Sequence, residues 1–160
     1  MTKAARLFTS LVVLLAASGM GSGQVLAGAA KALITPELTG SKVYLAGFGH
    51  NRIASAVHDP LYIRCAALQV GRNAVVLCAA DLIGLFYEDV VKIRSRFRAQ
   101  SRSDALLIVA CTHVHEGPDT LGLWGPSALE SGVDAAYLEW AENRISETAV
   151  AAWRRSAALV

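Results

Sequence analysis

The sequence predicts an α/β domain with a mixed, partly parallel sheet and flanking helices, placed after a short N-terminal leader. Two continuous apolar runs, residues 74–80 and 105–111, are typical of strands buried on both faces. Between them, residues 86–100 follow the 3.6-residue period of an amphipathic helix. A strand–helix–strand unit of this length makes its two strands parallel and its crossover right-handed.

The leader has the composition of a secretory signal peptide. A basic start, an apolar run over residues 7–17 and a series of small residues lead to Ala27. We predict a signal peptide over residues 1–27, cleaved after Ala27 or after Ala30, and export of the mature chain to the periplasm or the medium. The alternative is an uncleaved membrane anchor, for which the apolar run is short of the roughly 20 residues that span a bilayer.

The charge balance argues against nucleic acid as a partner. The chain carries 15 Lys and Arg against 13 Asp and Glu, formally +2. Lys3 and Arg6 belong to the predicted signal peptide, so the mature chain is formally neutral. Domains that bind nucleic acid usually carry a marked basic excess.

The cysteines Cys65, Cys78 and Cys111 form an odd set, so at least one stays unpaired in an exported chain. No C-x-x-C spacing occurs, which argues against a zinc knuckle or a thioredoxin-like site. All three lie in apolar runs, where a free cysteine is usually a small hydrophobic residue. Cys65 and Cys78 face each other across a hairpin in only one register, which a disulfide would require.

The other elements follow from local patterns. Residues 28–42 are predicted to be an irregular lead-in, and 43–46 a short strand. Residues 61–70, followed by a Gly-Arg-Asn turn, are predicted to form a strand before 74–80. Residues 134–156 are predicted to be a long helix with a favourable aspartate N-cap.

The candidate catalytic and metal-binding residues follow the predicted parallel strands. Asp81 follows the first strand, and His113 and His115 follow the second. Parallel sheets place their sites beyond the carboxyl ends of the strands, so we expect Asp81 and His113 on one sheet edge. In extended backbone, two imidazoles two residues apart share a face, where they suit zinc or a similar metal. The alternatives are solvent-facing loop histidines and an aspartate that only caps a turn.

Four other polar residues lie in predicted loops. Glu116 and Asp119 either assist a metal site or act as turn residues. His50 and His58 are interpreted as surface residues.

Five short motifs occur in order along the mature chain. They are Ile34-Thr35-Pro36, Gly47-Phe48-Gly49, Val57-His58-Asp59-Pro60-Leu61-Tyr62-Ile63-Arg64, Ala80-Asp81-Leu82 and Thr112-His113-Val114-His115-Glu116-Gly117-Pro118-Asp119. Together they resemble the N-terminal domain of the neutral/alkaline, non-lysosomal ceramidases. The most specific of them is the Thr-His-x-His-x-Gly-Pro element.

The resemblance implies a zinc amidase that cleaves ceramide into sphingosine and a fatty acid. His113 corresponds to a zinc ligand of the family, and His115 to its neighbour in the active site. We therefore expect zinc at His113 and catalytic roles for His115 and Asp81. The expected partners are ceramide or another N-acyl lipid, with transient contact to a membrane surface. Glycines that flank an aromatic residue at a strand end allow close approach of the backbone to a ligand. We therefore expect Gly47, Phe48 and Gly49 to contact the substrate.

The chain departs from the family pattern in two ways. Glu116 stands where the best-studied members carry serine. In addition, the family's second zinc histidine, its zinc-binding Glu and Tyr and its catalytic Ser lie beyond the part that this chain resembles. We therefore expect residues 28–160 to be the N-terminal portion of a larger ceramidase-type catalytic domain, inactive as this short chain.

Two other function classes stay open. The first is a different His-x-His metal hydrolase, although the Asp-His of metallo-β-lactamase-like enzymes is missing after His115 and amidohydrolase barrels need a longer chain. The second is a non-catalytic exported binding domain.

Overall fold

The computed structural model describes residues 24–40 and 42–158. Positions 1–23 of the predicted signal peptide therefore lie outside the described residues. Neither helix in this part of the chain is long and apolar enough to cross a membrane. The elements in chain order are β1 (Val25–Leu33), β2 (Tyr62–Val70), β3 (Asn73–Ala80), α1 (Tyr87–Ser101), β4 (Leu106–Cys111), α2 (Ala135–Arg154) and β5 (Ala157–Ala158).

The strands form one mixed sheet in the order β4-β3-β2-β1-β5. β3 and β4 are parallel and are connected through α1, while the other neighbours are antiparallel. In the parallel pair, Val75 lies beside Leu106 and Ala80 beside Cys111. These pairings confirm the predicted mixed, partly parallel sheet and its parallel strand pair.

The core lies between one face of the sheet and the two helices. Alternate residues of β2 and β3 are buried there together with Ile93 and Phe97 of α1 and Ala141 and Ile145 of α2. The opposite face has no covering element among the described residues. The expectation that 74–80 and 105–111 are buried on both faces is therefore wrong for this part of the chain.

The two helices are also joined by charges. Asp134 caps α2, as predicted, by accepting hydrogen bonds from the backbone N–H groups of Ala136 and Tyr137. The carboxylate of Glu142, on α2, is almost fully buried and accepts hydrogen bonds from Lys92 and Arg96 of α1. Removing a buried carboxylate's charge would leave these two cations without their shared partner.

The lead-in is more regular than predicted. β1 pairs with β2 from Val25 to Leu33 and carries β5 on its other side. A Cβ at Gly28 would lie 2.3 Å from the carbonyl oxygen of Ala152, so the end of α2 packs directly on this strand. Alanine is depleted in strands, and for this reason the alanine-rich sequence gave little β signal. Both predicted cleavage positions lie inside β1.

Cys65 and Cys78 form a disulfide, for which the sequence left the register open. The two residues face each other in the β2–β3 register with their Cα atoms 4.1 Å apart. A two-residue loop sets this register, and Gly71 in it has a φ of 58°. Cys111 stays free and is half-buried, and burial raises the pKa of its thiol to about 11.

Residues 43–46 do not form the regular strand that the sequence predicts. Tyr44 makes a single bridge to Ile53, and Leu45 makes one to Pro118. These bridges bind two loops to each other and place the 47–49 segment next to the histidine loop.

Candidate functional site

The predicted sheet edge is present. Thr112 follows β4 directly, and its Oγ1 donates a hydrogen bond to Asp81 Oδ1 over 3.3 Å. Its backbone N–H donates to the carbonyl of Ala80 over 2.9 Å. Asp81 and His113 therefore leave neighbouring parallel strands at the same edge.

His113 is held in one ring orientation. Its Nδ1 lies 2.9 Å from the carbonyl oxygen of Ile83. Because a carbonyl only accepts hydrogen bonds, this contact places the proton of a neutral ring on Nδ1 and the lone pair on Nε2. A histidine that binds a metal usually has its other nitrogen fixed in this way. His113 also has a left-handed φ of 58°, a strained conformation that is concentrated at functional sites.

The second imidazole lies close to the first. The ring centroids of His113 and His115 are 5.3 Å apart, with the planes at 67°. The expectation of extended backbone is wrong, because β4 ends at Cys111 and the chain turns at His113. A tight turn brings the two rings together.

The glycine–aromatic segment positions His115. Gly47 has a φ of 83°, and a Cβ there would lie 2.3 Å from His115 Nδ1. Phe48 is 74% exposed and packs edge-on against His115, with centroids 5.2 Å apart. A Cβ at Gly49 would meet no atom within 4 Å. Of the three predicted substrate-binding residues, two therefore contact a site histidine.

Asp81 makes no hydrogen bond to either histidine. Its Oδ2 accepts from the backbone N–H of Tyr62 and from the guanidinium of Arg64, at 2.9 and 2.8 Å. Burial raises the pKa of Asp81, but the hydrogen bonds from Arg64 and Tyr62, the charge of Arg64 and the hydrogen bond from Thr112 outweigh it and hold this pKa below its usual value. These contacts let Asp81 brace β2, β3 and β4, and its expected catalytic role stays a prediction.

Glu116 is turned toward Arg52. Both carboxylate oxygens of Glu116 accept from the same Arg52 nitrogen, Nη2, at 2.6 and 2.7 Å. Arg52 also donates to the carbonyl of Gly47 over 3.1 Å, and its guanidinium carbon lies 5.6 Å from the Phe48 ring centroid. This ion pair links the loop that contains Gly47 and Arg52 to the loop that carries His115 and Glu116. The role of Arg52 was not predicted from the sequence. Arg52 lies 64 positions before Glu116, and no local sequence pattern indicates a contact between them.

Asp119 is a turn residue. It is buried, and its carboxylate accepts hydrogen bonds from four consecutive backbone N–H groups, those of Leu121, Gly122, Leu123 and Trp124. These hydrogen bonds use the carboxylate to hold the turn that follows it.

The two imidazoles fit part of a metal site. His113 Nε2 is available as a ligand, and His115 lies beside it. Within residues 24–40 and 42–158, no three His, Cys, Asp or Glu side chains are grouped to hold a metal ion. A catalytic zinc usually has three protein ligands, so a complete site needs ligands from outside the described residues.

A cavity of about 820 Å³ opens beside His115. Its size falls within the range of pockets for small molecules. His58, which is paired with Asp59 at its outer rim, is exposed as predicted. The lining mixes polar and apolar side chains, and its apolar part includes Leu38, Val43, Leu45, Ile53, Val57, Leu61 and Val114.

Comparison with known proteins shows the fold. No protein-family model and no curated protein sequence matches the chain. The solved structures that match include a neutral ceramidase from Pseudomonas aeruginosa and a ceramidase complexed with C2. Each has a TM-score of 0.70 and 20% identity, and the match covers 86% of this chain and 22% of the ceramidase chain. The chain thus has the fold that its motifs imply, over about a fifth of the length of those ceramidases.

Proposed function

We propose that this chain forms one wall of the active site of a zinc-dependent amide hydrolase of the neutral ceramidase type. Its substrate would be ceramide or another N-acyl lipid, cleaved to a sphingoid base and a fatty acid. The fold shared with two ceramidase structures supports the proposal. The remaining metal ligands would come from polypeptide outside residues 24–158.

The observation that carries the proposal is the hydrogen bond between His113 Nδ1 and the Ile83 carbonyl. This hydrogen bond sets the tautomer and the orientation of the ring, so Nε2 could bind a metal without a change in either. Zinc bound there would polarise the amide carbonyl and lower the pKa of a bound water or hydroxyl.

His115 would hold or move a proton beside the metal ligand. Its ring centroid lies 5.3 Å from that of His113, so a substrate held at His113 would also lie near His115. Gly47 and Phe48 fix its position from one side, and the Arg52–Glu116 ion pair holds the two loops together. A proton carrier held in this way needs little reorganisation during the reaction.

The cavity beside His115 would receive the apolar part of the substrate. The aliphatic part of its lining suits an acyl chain or a sphingoid chain, and Arg52 supplies a polar group at its border. A lipid substrate also brings the enzyme into transient contact with a membrane surface.

The Cys65–Cys78 disulfide supports an exported location. Disulfides persist mainly in oxidising compartments such as the periplasm and the extracellular medium. The proposal therefore places the protein in one of these two compartments.

An amidase assay on the product of the longest natural reading frame that contains this chain tests the proposal. We expect ceramide hydrolysis that depends on zinc. His113→Ala should lower turnover beyond the roughly 100-fold typical of residues that only support a ligand. His115→Ala should lower turnover by about 100-fold or more while zinc content is kept.

His58→Ala is the matched control, because this histidine is exposed at the outer rim of the same cavity. It should keep its zinc content and change turnover far less than His113→Ala does. Full ceramide turnover in His113→Ala would contradict the proposal. Zinc binding without hydrolysis of any N-acyl lipid would favour a non-catalytic binding domain.

A further inference from the structure

The face of the sheet opposite the helices is apolar and uncovered by any described residue. The register aligns Ala29, Ala66, Leu77 and Ile108 in one row across four strands. The next row toward the turn contains Ala27, Leu68, Val75 and Leu106. Seven large hydrophobic residues on this face are between 39% and 55% exposed, namely Val25, Leu33, Leu68, Val70, Leu77, Leu106 and Ile108.

This arrangement conflicts with the strand sequences. β3 and β4 are apolar at almost every position, a pattern that belongs to strands covered on both faces. The structure covers only one face of them. Soluble monomers rarely expose contiguous apolar patches above a few hundred Å², and such patches usually mark interaction sites.

The shape of the face suits a packed layer of polypeptide. Small side chains, among them Ala29, Ala66 and Ala79, line a shallow trough between Leu77 and the strand ends. A trough with an alanine floor admits the ridge of a helix or the side chains of a second sheet.

The charges at the rim indicate the polarity of that layer. Lys31, Arg64 and Arg155 border the trough. Arg64 is paired with Asp81, whereas Lys31 and Arg155 form no salt bridge with a described residue. A covering layer with carboxylates opposite Lys31 and Arg155 would match this rim.

We propose that the uncovered face is the docking surface for a further polypeptide layer of the same, ceramidase-sized protein, apolar at its centre and acidic opposite Lys31 and Arg155. The length of the matched chains is the argument for this occupant, because this fold makes up only 22% of each. The inference depends on the shared fold and is independent of the proposed amide hydrolysis.

Cysteine labelling tests the docking surface. Leu68→Cys places a thiol on the uncovered face, and Val91→Cys places one on the outer side of α1, where wild-type exposure is the same at 40%. Both are made with Cys111→Ser in the product of the longest natural reading frame. We expect a maleimide to label Leu68→Cys about tenfold or more slowly than Val91→Cys.

Equal labelling of the two cysteines would overturn the proposal, as would a natural product that adds no polypeptide after Val160. Protection of Leu68→Cys that disappears on dilution would assign the face to a second copy and overturn the proposal too. Protection that appears only with phosphatidylglycerol vesicles would assign it to lipid, again against the proposal. The labelling readout does not depend on turnover, so it stands apart from the amidase assay.

Discussion

Gly47 faces the ring of His115 so closely that a Cβ at this position would lie 2.3 Å from the ring Nδ1. The position therefore needs glycine for two reasons, the space and the φ of 83°. This contact makes the glycine–aromatic segment a support for His115, in addition to the substrate contact that its sequence predicts.

The Gly47→Ala variant should displace His115. We expect a shift of the His115 imidazole NMR signals and a loss of about 10–100-fold in turnover of the longest natural product, the range for residues that support a catalytic group. Gly49→Ala is the matched control, since Gly49 also has a positive φ but has open space around it. The two variants share the backbone strain, so a His115 shift of equal size in both would contradict the contact argument.

The Asp81→Asn variant should act on stability. We expect it to lower the free energy of unfolding by about 1 kcal/mol, because a partly exposed Arg64 loses its charged partner. Urea unfolding at pH 7 measures this value. A large loss of turnover with unchanged stability would instead return Asp81 to the catalytic role expected from the sequence.

The same carboxylate predicts a pH dependence. Folding holds the pKa of Asp81 below its ordinary value of 3.8, so its stabilising contribution is complete above that value. The contribution is lost as the pH falls through the lower pKa of the folded state. Below about pH 4, wild type should therefore lose more stability than Asp81→Asn. If the free energy of unfolding changed equally with pH in the two proteins, the Arg64–Asp81 ion pair would contribute nothing to stability.

Export should yield a chain that keeps β1 whole. Cleavage after Ala27 would remove three residues that pair with β2, and cleavage after Ala30 would remove six. The small residues Gly21-Ser22-Gly23 precede the strand and suit a signal peptidase. The sequence predicts a start at Gly28 or Lys31, whereas an intact β1 predicts a start at Gln24, and N-terminal sequencing of the exported product distinguishes the two. A start at Gly28 or Lys31 would show that the sheet forms without the first part of β1.

The sequence predicted the elements with the strongest periodicity. The parallel strands and both helices follow from apolar runs and a clear 3.6-residue period, and their observed ends differ by at most two residues from the predicted ones. β1 was missed, because its alanines and glycine carry no β-branched or aromatic signal. The disulfide depended on a register that only the Gly71 turn and the full strand pairing define.

The site was predictable by residue type and less so by geometry. The histidine pair was identified from its position after a buried strand, and the structure places the rings together through a left-handed turn at His113. The partners of Asp81 and Glu116 are arginines, Arg64 and Arg52, at distant positions in the sequence. Local patterns carry no information on such contacts, so these two roles needed the structure.

Zinc titration calorimetry tests the central claim most directly. The exported form of this chain should bind zinc weakly, because the described residues bring only the imidazoles of His113 and His115 together at the site and a closed zinc site has four ligands. The longest natural product should bind one zinc tightly and lose that binding in His113→Ala, while His58→Ala binds as wild type. Tight stoichiometric binding by the short chain that survives His113→Ala would contradict the assignment of His113 as the ligand.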